Sequence, residues 1–236
     1  MASQDQFEAP DYYLLDELLT SEHLLIRKTI RSFVKREISP IIEEACQSCI
    51  FPKQILPKLG DLGCFGPFIP NKYGGAELDQ ISYGLIMQEL ERGDSGIRST
   101  ASVQSSLVMY PIFAYGTDLQ REKYLSRLAT GEIMGCFGLT EPNHGSNPGG
   151  MESRFKDTGD YYILNGSKLW ISNSPFADIA IVWAKNENNR IQGLIVETDS
   201  QGVSTPETHN KWSLRGSVTG ELIFDNVKVP KENLLP

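Results

Sequence analysis

From Ser21 the apolar residues Ile26, Ile30, Phe33, Val34 and Ile41 recur at helical spacing, with Lys and Arg on the opposite face, which predicts a long amphipathic helix. Pro40 lacks an amide donor and crowds the preceding turn, so a kink or a fresh segment is expected there. A shorter helix is predicted over 52–62. The stretch 60–75, with Gly63, Gly66, Pro67, Pro70 and Gly74, is too rich in breakers for regular structure. Asp79 then caps a helix that turns Ile81, Leu85, Ile86 and Leu90 inward and ends on a glycine C-cap at Gly93. The next helix runs from about Ile97 to Tyr115, and its small residues over 99–106 admit close approach of a backbone or a slender ligand. Thr117 and Gln120 form a capping box for a helix ending at Gly131.

Beyond Ile133 the period changes from helical to strand-like. Tyr161 to Leu164, Asn165-Gly166 and Ser167 to Ile171 read as a hairpin, because Asn-Gly supplies the positive φ values of a tight I′ turn. Ile179 to Ala184 and Ile191 to Val196 flank a polar tip and read as a second hairpin. Glu221 to Val229 supplies further strand, with a turn at Asp225-Asn226. The pattern is that of an α+β chain, an all-α domain over 1–133 followed by an antiparallel β domain over 134–236.

With 236 residues, 40% of them hydrophobic, the chain can bury a substantial core. A net charge of -8 argues against nucleic acid as a partner, since binding phosphates draws on clustered Lys and Arg. No apolar run approaches the ~20 residues of a membrane span, and Met1 to Asp11 shows neither a signal nor a transit pattern, so no membrane association and a cytoplasmic location are expected. Cys46 and Cys49 form a C-x-x-C, which could be a redox pair or half a metal site. Lacking a second Cys or His pair at zinc spacing, they read as reduced, packed thiols, and no metal site is expected. His23 and His209 have no partner at a recognisable spacing.

Two segments carry candidate chemistry. Gly135 to Ser146, G-C-F-G-L-T-E-P-N-H-G-S, turns a short apolar strand into a bend rich in hydroxyls and backbone N–H groups, which suits an extended, acceptor-rich ligand. Lys168 to Pro175, K-L-W-I-S-N-S-P, places Trp170 and Ser172 on one side of a strand by two-residue alternation. Together they resemble the acyl-CoA dehydrogenase flavoproteins, in which these segments meet around the isoalloxazine of FAD. The resemblance runs from the first helices to Pro236. It implies a β-barrel for the second domain. It also implies that Phe137, Leu139 and Thr140 line the pyrimidine side, that Trp170 and Ser172 approach the dimethylbenzene side and N5, and that Ser146 contacts the pyrophosphate. Asn147 stands where the family usually has Asp, and His144 where a small residue is usual, which puts cofactor affinity in question.

Glu91 to Ser99, E-R-G-D-S-G-I-R-S, resembles the segment of glutaryl-CoA dehydrogenases in which an arginine holds the distal carboxylate of the substrate. S-V-Q-S-S-L-V-M and K-W-S-L-R-G-S strengthen that subfamily match, while Ile97 departs from the tyrosine of human-type sequences. The resemblance assigns substrate binding to Arg98, Ser99 and Glu91 and implies glutaryl-CoA as the acyl-CoA substrate. A guanidinium facing a neutral acyl tail would be left unpaired. It further implies oxidative decarboxylation to crotonyl-CoA, electron-transfer flavoprotein as partner, and a homotetramer. The family's base is a glutamate of a second helical domain that these residues do not reach. No catalytic residue is therefore assigned, and this portion is expected to be inactive and to bind FAD weakly alone. Two readings stay open beside it: a naturally short binding module without turnover, and a dehydrogenase of another acyl-CoA. Arg215 reads either as structural or as a phosphate contact.

Overall fold

The computed structural model describes residues 11–236; the stretch 1–10, read above for a signal pattern, lies outside the described residues. No described helix is long and apolar enough to cross a membrane. Helix α1 (Ser21–Phe33) begins at a Thr20 cap whose partner is His23, giving this histidine a role the spacing did not show. Its ring accepts from the Thr20 amide, and its Nε2 lies 2.8 Å from Asp79. Pro40 falls in the first turn of α2 (Ser39–Ser48), where its missing N–H costs nothing, and the change of register is taken up by a π-helical turn over Val34–Ile38. After α3 (Leu56–Asp61), α4 (Gln80–Gly93) starts at Asp79, whose carboxylate accepts from the Ser82 amide.

Two details of α4 differ from expectation. Ile81 is half exposed, and the inward positions include Ser82, Met87 and Glu89. Gly93 has no positive φ; extended Asp94 ends the helix and caps α5 (Ser95–Ser102) through the amides of Gly96 and Ile97. A π-helical stretch over Val103–Met109 carries α5 into α6 (Tyr110–Tyr115). Helix α7 (Asp118–Ala129) has the Thr117–Gln120 capping box and ends at Gly131, φ 71.

The second domain is a curled half-barrel of seven strands: β1 (Gly135–Gly138), β2 (Arg154–Asp157), β3 (Tyr161–Ser172), β4 (Ile179–Lys185), β5 (Ile191–Glu197), β6 (Val203–Ser204) and β7 (Thr219–Pro230). β4 and β5 form the expected hairpin. Along the other edge of β4, β1 and β2 lie end to end and parallel to it, whereas β2–β3, β3–β7 and β6–β7 are antiparallel.

The other hairpin is absent. β3 runs unbroken through Asn165-Gly166 and β7 unbroken through Asp225-Asn226, and the two dipeptides face each other across one irregularity between Leu164↔Val227 and Gly166↔Phe224. The side chain of Asn165 accepts from the Asn226 amide at 2.9 Å and donates to Asn226 Oδ1 at 3.3 Å. Positive φ at Gly166 and Asn226 is used to bend paired strands instead of reversing the chain.

β4 explains how the halves join. Ile179 and Ile181 belong to the core that fills the helical domain, while Ala180, Val182 and Ala184 face the interior of the curled sheet with Cys136, Leu164, Leu222 and Phe224. A strand covered on both faces reads as a continuous apolar run, as I-A-I-V-W-A does.

Candidate functional site between the Thr140 loop and β3

The backbone of the Thr140 loop is bonded directly to β3. Leu169 N donates to Thr140 O at 2.9 Å, Lys168 Nζ to Leu139 O at 3.2 Å, and Lys168 Nζ meets Glu141 Oε1 at 2.8 Å. The side chain of Lys168 is completely buried and that of Glu141 nearly so. The Glu141 carboxylate also accepts from the amides of Glu152, 2.5 Å, and Ser153, 3.0 Å. Burial would raise this carboxyl, but those amides and Lys168 outweigh it and hold it at about 2; burial pulls Lys168 downward against the pull of Glu141.

The two segments singled out in the sequence therefore meet. Leu139, Thr140 and Ser172 are half-buried and Ser146 is exposed. Phe137 is half-buried, edge-on to Trp183 at 6.2 Å. Trp170 is 68% exposed and takes φ 58, a left-handed conformation that is an outlier for so bulky a residue. Simple alternation along β3 does not hold here: Lys168 and Ile171 are both buried, with Leu169 and Trp170 bulged between them. His144, the unusual residue of the loop, packs against Gly150 and lies 3.5 Å from Glu152, and Asn147 starts the turn over Pro148–Gly150. Beside the loop opens a cleft of about 580 Å³, lined by Glu141, His144, Ser153, Asn165, Ser167 and Phe224 among others.

A second cluster sits on α4 and α5. Arg98 Nε donates to Glu91 at 2.5 Å and Ser95 Oγ donates to the other Glu91 oxygen at 2.6 Å. Burial would raise Glu91, and Arg98 and Ser95 together hold it below the ordinary range. Arg98 Nη1 reaches Ser102 Oγ at 3.5 Å, one helical turn on. Ser99, named from the sequence, is half-buried, and its hydroxyl forms no hydrogen bond among the described residues. Ser95 and Ser102 were missed; the signal that could have found them is spacing, four residues from Glu91 and four from Arg98.

The remaining candidates fall outside both clusters. Cys46 donates to Asp94 at 3.6 Å, but Cys49 is exposed at the left-handed end of α2 and is not a packed thiol. Cys64 and Cys136 are fully buried, and burial pushes Cys64 up to about 12. No metal-binding cluster occurs among the described residues. Arg215 donates to the carbonyl of Gln47 at 3.1 Å.

Comparison with known proteins identifies this pair of domains. The model of the acyl-CoA dehydrogenase N-terminal domain matches residues 20–132, and that of the middle domain matches residues 136–227. The chain belongs to the acyl-CoA dehydrogenase family. It is 40% identical over 224 residues to the probable acyl-CoA dehydrogenase YngJ of Bacillus subtilis, covering 92% of this chain and 58% of that protein. It is 40% identical over 222 residues, with the same coverage, to the caffeyl-CoA reductase-Etf complex subunit CarC of Acetobacterium woodii. Among solved structures, a glutaryl-CoA dehydrogenase from Mycobacterium smegmatis in complex with FADH2 superposes with a TM-score of 0.91 at 45% identity, covering 94% of this chain and 57% of that one. The chain thus spans little more than half the length of these acyl-CoA dehydrogenase relatives.

FAD is the cofactor of this family, and the residues present fit it. The loop and β3 offer the hydroxyls of Thr140 and Ser172 beside the exposed indole of Trp170, a combination of hydrogen-bond donors and apolar cover suited to a flavin ring.

Proposed function

We propose that this chain is the N-terminal and middle portion of a glutaryl-CoA dehydrogenase, which oxidises glutaryl-CoA and yields crotonyl-CoA by decarboxylation. The chemistry FAD supplies is acceptance of a hydride from the substrate β-carbon. The chain's own contribution is to hold the ring between Leu139–Thr140 and Trp170–Ser172, with Phe137 behind the loop and Ser146 free to meet the pyrophosphate. Arg98 binds the distal carboxylate of the substrate, held in place by Glu91, with Ser95, Ser99 and Ser102 around it.

The observation that carries the substrate assignment is the state of Arg98. Its side chain is one-third exposed, fixed by a carboxylate on one edge, with a second nitrogen near Ser102. A guanidinium so oriented accepts a ligand carboxylate by parallel N–H donation, which a neutral acyl chain does not offer. The test is R98A in the complete enzyme. Loss of the preference for glutaryl-CoA over butyryl-CoA is expected, and an unchanged preference overturns the assignment.

Electron-transfer flavoprotein is the proposed acceptor, supported by the similarity to an Etf-complex subunit. A homotetramer is part of the same reading, and the fully exposed Trp212 is apolar surface that assembly would cover. A second reading, another acyl-CoA as substrate, is favoured by the similarity to CarC, whose name specifies a caffeyl thioester. Equal turnover of neutral acyl-CoAs would select it.

A further inference from the structure

We propose that the buried Lys168–Glu141 pair is the positioning element of the flavin crevice, setting the geometry of both walls; this rests on the flavin reading given above. Thr140 lies between two residues that Lys168 holds, the carbonyl of Leu139 at 3.2 Å and the carboxylate of Glu141 at 2.8 Å. Its own carbonyl accepts from Leu169 N. Thr140 therefore has no freedom to shift without breaking bonds in the protein interior. Glu141 carries the constraint further along the loop, because its two oxygens also take the amides of Glu152 and Ser153 and close the segment from 141 to 153 back on itself.

The opposite wall depends on the same lysine. The register of β3 against β7 runs from Lys168↔Leu222 to Ile171↔Gly220, so Leu169 and Trp170 stand against Glu221 alone. Lys168 turns inward to Glu141 and Ile171 inward to the sheet, and the bulge between them forces Trp170 outward at positive φ. Buried ion pairs are inefficient stabilisers, since an apolar pair of similar size often supports a fold equally well. What an apolar pair cannot do is bind the Leu139 carbonyl and two amides at once. The pair is accordingly a device for geometry.

The test uses the complete enzyme with three variants: K168M, E141Q and the charge-free E141L/K168M. FAD binding is followed by quenching of flavin fluorescence, loop order by amide exchange at Glu152 and Ser153, and stability by thermal melting. K168M leaves a buried carboxylate with its two amide donors but without its counter-charge, and is expected to melt lower whatever its role, so the double variant decides. E141L/K168M leaves the Leu139 carbonyl and the Glu152 and Ser153 amides unpaired and is expected to melt several degrees lower. Below that melting range, FAD affinity at least tenfold weaker and exchange at Glu152 and Ser153 at least tenfold faster are expected. Unchanged FAD affinity, with or without faster exchange, overturns the proposal and leaves the flavin reading intact. Should the double variant not fold, E141Q decides: it leaves Lys168 without its counter-charge and is expected to melt lower, but below its melting range FAD binding should be weaker, and unchanged FAD affinity overturns the proposal. A complete parent enzyme that binds no FAD at all overturns the flavin reading and this proposal with it.

Discussion

Thr100 Oγ1 donates to Asn173 Oδ1 at 3.2 Å, joining the middle of α5 to the residue that follows β3, and both side chains are buried. The Asn173 amide group also donates to the carbonyl of Gly135 at the start of β1, 3.3 Å, and its backbone N–H donates to Val218 O at 3.0 Å. Arg98 lies two residues before Thr100, and Ser172 immediately precedes Asn173. The bonds of Asn173 therefore tie the cluster proposed to hold the substrate's distal end to the wall proposed to hold the flavin.

Replacing Asn173 separates its two contributions. N173A strands the Thr100 hydroxyl and the Gly135 carbonyl and forces alanine into the left-handed conformation, φ 70, so a loss of ~2–4 kcal/mol is expected in urea unfolding. N173G loses the same bonds but tolerates that φ, and is expected to be about 1 kcal/mol less harmful. Equal losses in the two variants would show that the backbone conformation contributes nothing.

Gln104 is the second bolt across the domain junction. Fully buried, it donates to the carbonyls of Leu128, 2.9 Å, and Ile133, 3.0 Å, and accepts from Gly135 N at 2.8 Å. Q104L leaves three backbone groups unpaired in the interior, and a loss of ~2–4 kcal/mol is expected. Amide exchange at Gly135 should accelerate well before global unfolding. Full protection of that amide in Q104L would contradict the assignment.

The helical half was largely legible, because caps and periodicity act locally: Asp79, Thr117 with Gln120, and Gly131 all mark boundaries where the structure has them. The sheet was less so. Asn165-Gly166 and Asp225-Asn226 carry turn chemistry, but a bulge demands the same positive φ as a turn, and only the long-range pairing of β3 with β7 decides between them. The hydroxyls and Trp170 were visible as a motif. Lys168 was not, since a lysine is almost never fully buried unless paired and its partner lies 27 residues away in sequence. Ser102 was hidden among small residues whose packing role is the ordinary one.

Acid should weaken the fold partly through Glu141. Its carboxyl is held at about 2 in the folded chain against an ordinary 4.5, so the unfolded chain takes up the proton first as the pH falls. The contribution is complete above the ordinary value, declines between about pH 5 and pH 2, and is gone below. Asp79, lowered to about 2 by the Ser82 amide and then His23, shares the window, although its exposure limits the effect. Melting temperatures across this range should fall less steeply for E141Q than for the parent. Identical slopes would remove Glu141 from the acid transition.

Two glycines near the crevice should answer differently to alanine. At Gly166, φ is 141 and a methyl group would press on Ser153, whose Cα would lie 2.7 Å away, so G166A combines backbone strain with a clash that no side-chain rotation relieves. A loss of at least ~1–3 kcal/mol is expected. At Gly145, φ is not in the positive range and a methyl group would meet nothing within 4 Å, so G145A should stay within ~0.5 kcal/mol of the parent. If the flavin pyrophosphate lies against this part of the loop, G145A should weaken FAD binding about tenfold while leaving the melting temperature of the free chain unchanged. Parent-like FAD affinity in G145A would place the pyrophosphate away from Gly145 and, with it, away from the neighbouring Ser146.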